Sequence, residues 1–218
     1  MALNRPVNVI TQGGCPYANV YLMSSANKEY MSEQCRLYYE ITEEWLSRQE
    51  SGTVIISSSG ALLANPDLYI NSKADQINTS TEESVKEYIL GAKNAVHSLQ
   101  ETGHNVVLVK PVPRYSISTS WDPQKCSLFQ IVSVGCSLQV KPQILLMDQD
   151  SAYVALNEVA KETGAGLLDL SEFGCIRDEC STESDAVVLY RDANHISVPG
   201  ALTLVDDFVH AIEANSTN

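Results

Sequence analysis

Asp192 and His195, close to the end of the 218-residue chain, are the residues best spaced to do chemistry. An aspartate three residues before a histidine can accept the ring's Nδ1–H inside one loop. That fixes the tautomer and turns Nε2 toward a nucleophile, so the pair would serve as a base and its orienting carboxylate in acyl transfer. The following Ile196-Ser197-Val198-Pro199-Gly200 reads as a stiff turn into a helix. Asp-x-x-His alone also suits a surface loop with an incidental histidine. Two other places offer a nucleophile. Cys15 follows Gly13-Gly14, but has a natural disulfide partner in Cys35. The serines of Ser57–Ser59 are the other, although serine-rich loops are usually only loops. His97, His104 and His210 fall in or beside helices and read as surface or packing residues. Tyr17, Tyr21, Tyr30 and Trp121 would suit a carbohydrate platform, yet partial burial of amphipathic rings is the plainer reading.

The six cysteines form three couples that are local in sequence: 15 with 35, 126 with 136, and 175 with 180. An even count of six allows about fifteen connectivities. The local one needs the least rearrangement of the chain, and closing the first loop would contribute roughly 3 kcal/mol in the chain-entropy model. Disulfides imply an oxidising compartment. Six reduced, buried thiols are the alternative. Zinc is disfavoured, because no Cys-x-x-Cys occurs and no histidine stands at ligand spacing from a couple. The first residues show no charged and apolar export signal. Together with the cysteines, that suggests an incomplete N-terminus.

The elements that must position these residues are legible in order. Val7–Thr11 is a short apolar run ending at Gly13-Gly14 and reads as a buried strand. Glu33–Gln49 has helical spacing of Leu37, Tyr38, Ile41, Trp45 and Leu46. Thr53–Ser57 reads as a second buried strand. Ser80-Thr81-Glu82-Glu83 is a capping box that opens a helix to about Gln100, which Gly103 ends. Asn105–Val109 is a strand closed by Pro111 and Pro113, and Arg114–Pro142 is irregular. Gln149–Glu162 is an amphipathic helix stopped by Gly164, Gly166–Leu170 a strand, and Gly200–Ala214 the last helix.

Continuous apolar strands alternating with helices argue one α/β domain over residues 1–218, with a parallel sheet covered on both faces. Ligands of such sheets sit at the carboxyl ends of the strands. Gly13-Gly14, Ser57–Gly60 and the Asp192–His195 loop would all lie on that edge. The formal charge of −13 argues against a nucleic-acid partner, which would need clustered Lys and Arg. No stretch is apolar for the length of a membrane span.

The block Leu189-Tyr190-Arg191-Asp192-Ala193-Asn194-His195-Ile196-Ser197-Val198-Pro199-Gly200-Ala201 resembles the last block of SGNH hydrolases. It is most similar to the SGNH domain fused behind acyltransferase-3 membrane domains, the O-acetyltransferases of bacterial surface polysaccharides. Other segments agree in order: Val7–Pro16, the helix opened by Cys35, Lys110–Pro113 with Cys126 downstream, and Phe173–Cys180. The resemblance implies a three-layer α/β/α, flavodoxin-like SGNH fold. It implies Ser-His-Asp transfer of an acetyl group to a glycan such as lipopolysaccharide, with His195 as base then acid and Asp192 orienting it. The oxyanion would be held by backbone N–H of Gly13 or Gly14 together with Ser59. The implied partners are a glycan acceptor and the membrane acyltransferase-3 domain of the same parent. The implied place is the periplasmic face, tethered to the inner membrane. No metal or bound cofactor is implied, acetyl-CoA being the membrane domain's donor.

There are two departures. The family's nucleophile sits in a Gly-Asp-Ser turn after the first strand, and Gly-Asp-Ser occurs nowhere here. The first βα unit is therefore expected to be missing, leaving sheet neighbours unpaired. Ser57-Ser58-Ser59-Gly60 stands where a Gly-x-Asn-Asp block is usual. Two other readings stay open: a non-catalytic extracytoplasmic module that binds a glycan or a partner, and a free-standing carbohydrate esterase.

Overall fold

The structure, a computed structural model, describes residues 6–24, 28–59, 61–65, 67–73, 80–115, 121–126, 136–146 and 149–216. In chain order the elements are β1 (Tyr21–Ser24), α1 (Lys28–Leu46), β2 (Thr53–Ser57), α2 (Ala61–Ala64), β3 (Leu68–Asn71), α3 (Thr81–Glu101) and β4 (Asn105–Lys110). There follow β5 (Gln139–Val140), α4 (Pro142–Leu146), α5 (Asp150–Thr163), β6 (Gly166–Asp169), β7 (Cys175–Ile176) and β8 (Glu179–Ser181). The chain ends with β9 (Glu183–Ser184), β10 (Val187–Val188), α6 (Val198–Leu202) and α7 (Val205–Asn215).

The three strands read as continuous apolar runs form one parallel sheet in the order β2-β4-β6. β4 lies in the middle, with Val106 through Lys110 all buried, because only a central strand is covered on both faces and both edges. On one face Ile56, Val106 and Leu108 pack against α3 and α5 through Tyr88, Ile89, Val96, Leu99, Leu156 and Val159. On the other face Val109 and Leu168 meet Leu204 and Phe208 of the C-terminal helices. Two helical layers around a parallel sheet are the expected α/β/α arrangement. Local signals hold as well. Ser80 Oγ accepts from Glu83 N at 3.2 Å to cap α3, and Gly164 ends α5 at φ 70°.

The segment 7–11 departs from expectation. It forms no strand, and Val7 and Val9 are 77% and 80% exposed. A strand exists only as a pairing, and no described strand pairs with this run, so its β-branched composition has nothing to act on. Gly13-Gly14 consequently follows no strand end. The opposite edge of β2 also has no strand partner among the described residues. Val54 and Ile55 on it are only half-buried, although their type suits an interior strand.

Shorter elements were not anticipated. β1 and β3 pair antiparallel, β5-β8-β7 form a small sheet, and β9 and β10 make a hairpin. The single expected final helix is two, α6 and α7. About half of the irregular stretch Arg114–Pro142 lies outside the described residues; β5 falls near its end and α4 starts at its last residue.

All six cysteines pair in the local order: Cys15–Cys35, Cys126–Cys136 and Cys175–Cys180. Among the described residues no helix is long and apolar enough to cross a membrane.

Candidate active site

The chain reaches Asp192 through a small, separate core. Tyr190 is fully buried and packs edge-on against Tyr115, ring centroids 4.9 Å apart, with Leu189, Cys180 and Phe173 around it. Leu189 N donates to Thr182 O at 2.9 Å, and the Cys175–Cys180 bridge fastens β7 to β8 beneath. From Tyr190 the chain turns out and back: Tyr190 bridges Ile196, and Arg191 N donates to His195 O at 2.9 Å. The turn is therefore closed at its base and projects Asp192–His195 outward.

Within the turn one oxygen organises everything. Asp192 Oδ1 accepts from Asn194 N at 2.9 Å, from His195 N at 3.0 Å, and lies 2.8 Å from His195 Nδ1. Oδ2 lies 3.0 Å from the same ring nitrogen and 3.3 Å from two nitrogens of Arg191. Partial burial works to raise the Asp192 carboxyl. The backbone N–H of Asn194, the His195 ring and the His195 N–H outweigh it and hold it down at about 2. A carboxylate charged at neutral pH favours the tautomer with hydrogen on Nδ1, leaving Nε2 as the basic atom. The His195 side chain is 63% exposed, so Nε2 is reachable from outside.

The loop after β4 supports this turn through an unusual division of labour. Pro111 and Pro113 have no N–H, so Pro111-Val112-Pro113 offers mostly acceptors. Three side chains meet three successive carbonyls: Tyr153 Oη donates to Pro111 O (3.1 Å), Gln149 Nε2 to Val112 O (3.0 Å), and Tyr190 Oη to Pro113 O (2.9 Å). The next residues then reach the turn, Tyr115 N donating to Ala193 O at 2.8 Å. At the strand ends, Lys110 Nζ lies 2.6 Å from Asp169 Oδ2 across the β4–β6 pair. Burial alone would raise Asp169; the hydrogen bonds from Lys110 and Ser171 override it and lower its carboxyl.

On the far side of the turn, Ser197 Oγ caps α6 by accepting from Gly200 N at 2.9 Å, and donates to Val188 O. Gly200 is buried against Leu189.

The residues named for the oxyanion sit elsewhere on the same molecule. Gly14 and Ser59 line a cavity of about 410 Å³ at the carboxyl end of β2, with Gln12, Cys15, Ser57 and Asn65. Gly13 is next to it but does not line it, and an added Cβ at Gly13 meets nothing within 4 Å. His195 is not among the lining residues. The structure thus brings Asp192 to His195 and Gly14 to Ser59. Cys15 is bonded to Cys35 and is no free nucleophile.

The other histidines behave as packing or surface groups. His104 is 4% exposed, accepts from Gly52 N at Nδ1 (3.2 Å) and lies 3.1 Å from Leu46 O at Nε2. His97 and His210 are exposed. Tyr17, Tyr21 and Trp121 are half-buried, and Trp121 Nε1 donates to Cys136 O at 2.8 Å. Tyr30 lies outside the residues whose side chains are described. What residue patterns did not disclose is the supporting set Tyr190, Gln149 and Tyr153. Its only trace in the sequence is the Pro-x-Pro that makes such donors necessary. Among the described residues no cluster of His, Cys, Asp and Glu could hold a metal.

The family model described as "SGNH domain (fused to AT3 domains)" matches residues 2–210. No curated protein matches the chain.

Proposed function

This chain belongs to the SGNH domains that are fused to AT3 domains, and on that premise we propose that it is the acyl-transferring module of a surface-glycan O-acetyltransferase. The observation that carries the reading is the turn in which Asp192 holds His195 by Nδ1 and leaves an exposed Nε2.

Catalysis then follows in two balanced halves. His195 Nε2 takes the proton of a serine hydroxyl as its oxygen attacks the carbonyl of an activated acetyl donor, and returns that proton to the departing group. It next takes the proton of a sugar hydroxyl as that oxygen attacks the acyl-serine, and returns it to the serine. Asp192 stays ionised and stabilises the imidazolium in both. Gly14 N–H and Ser59 line a cavity that His195 does not, and would hold the oxyanion only with the serine placed between that cavity and His195.

The serine is not supplied as Gly-Asp-Ser by these 218 residues. Among the described residues no strand covers the outer edge of β2, which supports the serine's arrival on an added strand. A strand laid parallel along Thr53–Ser57 would end over the cavity that Gly14 and Ser59 line. Three disulfides fit a compartment outside the cytoplasm, and we place the module at the periplasmic face, beside the AT3 domain of its parent.

The test is a product assay with the native protein, an activated acetyl ester and the surface glycan. Acetylated glycan that forms only with acceptor supports transfer. Acetate released at the same rate with or without acceptor means a hydrolytic esterase instead. The same missing Gly-Asp-Ser favours a second reading, a module that binds the glycan without turnover; its mark would be glycan bound by the native protein with no acetyl group transferred to it and no acetate released.

A further inference from the structure

The Asp192–His195 turn is exposed at Asn194 and His195, and no side chain within it is fully buried. Its internal bonds, most of them accepted by Asp192, join groups that water can reach, so they need a hold from outside to persist. Placement comes from the loop after β4. Tyr190 Oη ties Pro113, and Tyr115 N holds the Ala193 carbonyl. Between these two anchors stands Arg114, whose Nε and Nη2 both donate to Asn194 Oδ1 at 3.2 and 3.0 Å.

The turn is closed at its base by Tyr190 and Ile196, and the backbone bond at Ala193 holds it on the side of the β4 loop. Arg114 adds a hold at Asn194, the residue next to His195. Two N–H groups of one rigid plane meeting one carbonyl oxygen also define a direction, which a single flexible ammonium does not. We propose that Arg114 is a positioning residue, acting through Asn194 to set the orientation of the His195 ring. The proposal rests on reading His195 as the base.

An arginine at this edge of an acidic protein could instead grip an anionic ligand directly; the test separates the two. The 218-residue chain, labelled with ¹⁵N-histidine and free of ligand, is examined by long-range ¹H–¹⁵N spectra with the imidazoles neutral. The native His195 ring is expected to show the Nδ1–H form that faces Asp192. Arg114→Ala and Asn194→Ala each turn it into a mixture of tautomers, and the double variant is no worse than either single one. Asn194→Asp keeps the native pattern, since a carboxylate still receives the guanidinium. His104, with both ring nitrogens bonded, keeps its own pattern throughout and reports an intact fold.

The proposal is overturned if Arg114→Ala leaves the His195 pattern native with His104 unchanged, as direct ligand binding would require, or if the double variant is worse than both singles. Should Arg114→Ala disturb His104 as well, the exposed Asn194 decides: Asn194→Ala without effect on His195, or Asn194→Asp with the same effect as alanine, overturns it. Acetylation by the parent that survives His195→Ala would sink the catalytic reading while leaving the ring result standing, so the two failures are distinguishable.

Discussion

Gly200 lies directly against the backbone of Leu189: a Cβ built on Gly200 would stand 2.3 Å from the Leu189 carbonyl oxygen. That oxygen already accepts from Ser197 N at 2.8 Å, so it cannot retreat without releasing the base of the Asp192–His195 turn. Gly200→Ala should therefore cost about 1–3 kcal/mol of stability by overpacking. It should also lower acetyl transfer more than stability alone explains, because Leu189 leads straight into Asp192. Urea unfolding beside an activity assay checks both; native values for Gly200→Ala would mean that α6 can shift freely.

The carbonyls of the Pro111–Pro113 loop make a second prediction. Tyr190→Phe keeps the ring in its aromatic cluster but leaves the Pro113 oxygen without its donor. A buried acceptor left unpaired costs roughly 1–3 kcal/mol. Calorimetry of Tyr190→Phe should show that loss. Tyr38→Phe serves as the control, since the Tyr38 side chain is only half-buried and makes no comparable bond among the described residues.

The hairpin β9–β10 turns on Asp185 and Ala186, with φ of 49° and 61°. Left-handed backbone at both positions is a turn that glycine at the second position suits and alanine resists. Ala186→Gly should raise stability by about 0.5–1 kcal/mol, visible as a higher urea midpoint at an unchanged slope. A lower midpoint would show that glycine's extra freedom in the unfolded chain outweighs the relief.

Asp192 supplies a pH dependence whose sign follows from its direction. Its folded carboxyl is held at about 2, below the ordinary 3.8. Its contribution is therefore complete above that ordinary value and is lost as pH falls through the folded one. Asp169, also lowered, acts in the same sense. The amide chemical shifts of Asn194 and His195 should hold steady on acidification until Asp192 protonates, then move. Asp192→Asn should abolish that transition; a transition that persists in Asp192→Asn would have another origin.

The sheet was legible because β2, β4 and β6 each carry a short apolar run, although only β4 is buried throughout. Segment 7–11 has the same composition and forms no strand, since composition reports suitability and pairing decides. Asp192 and His195 were legible because their contact is local, spanning three residues. The supports of the turn were not. Tyr190 meets Pro113 across 77 residues and Arg114 meets Asn194 across 80, and no periodicity marks such pairs. Gly200 next to Pro199 reads as a helix start, whereas its packing against Leu189 is visible only in space.

In the reading proposed above, His195 is the base of an acyl transfer. Its most direct test is the turnover of the native parent protein with His195→Ala, read as O-acetyl groups per surface-glycan repeat over time. Loss of a positioned base should slow transfer by about 10²–10⁴-fold, with the protein folded and its glycan affinity kept. Transfer at the native rate in His195→Ala would mean that His195 is not the base, and would leave the chain as a module that binds without catalysing.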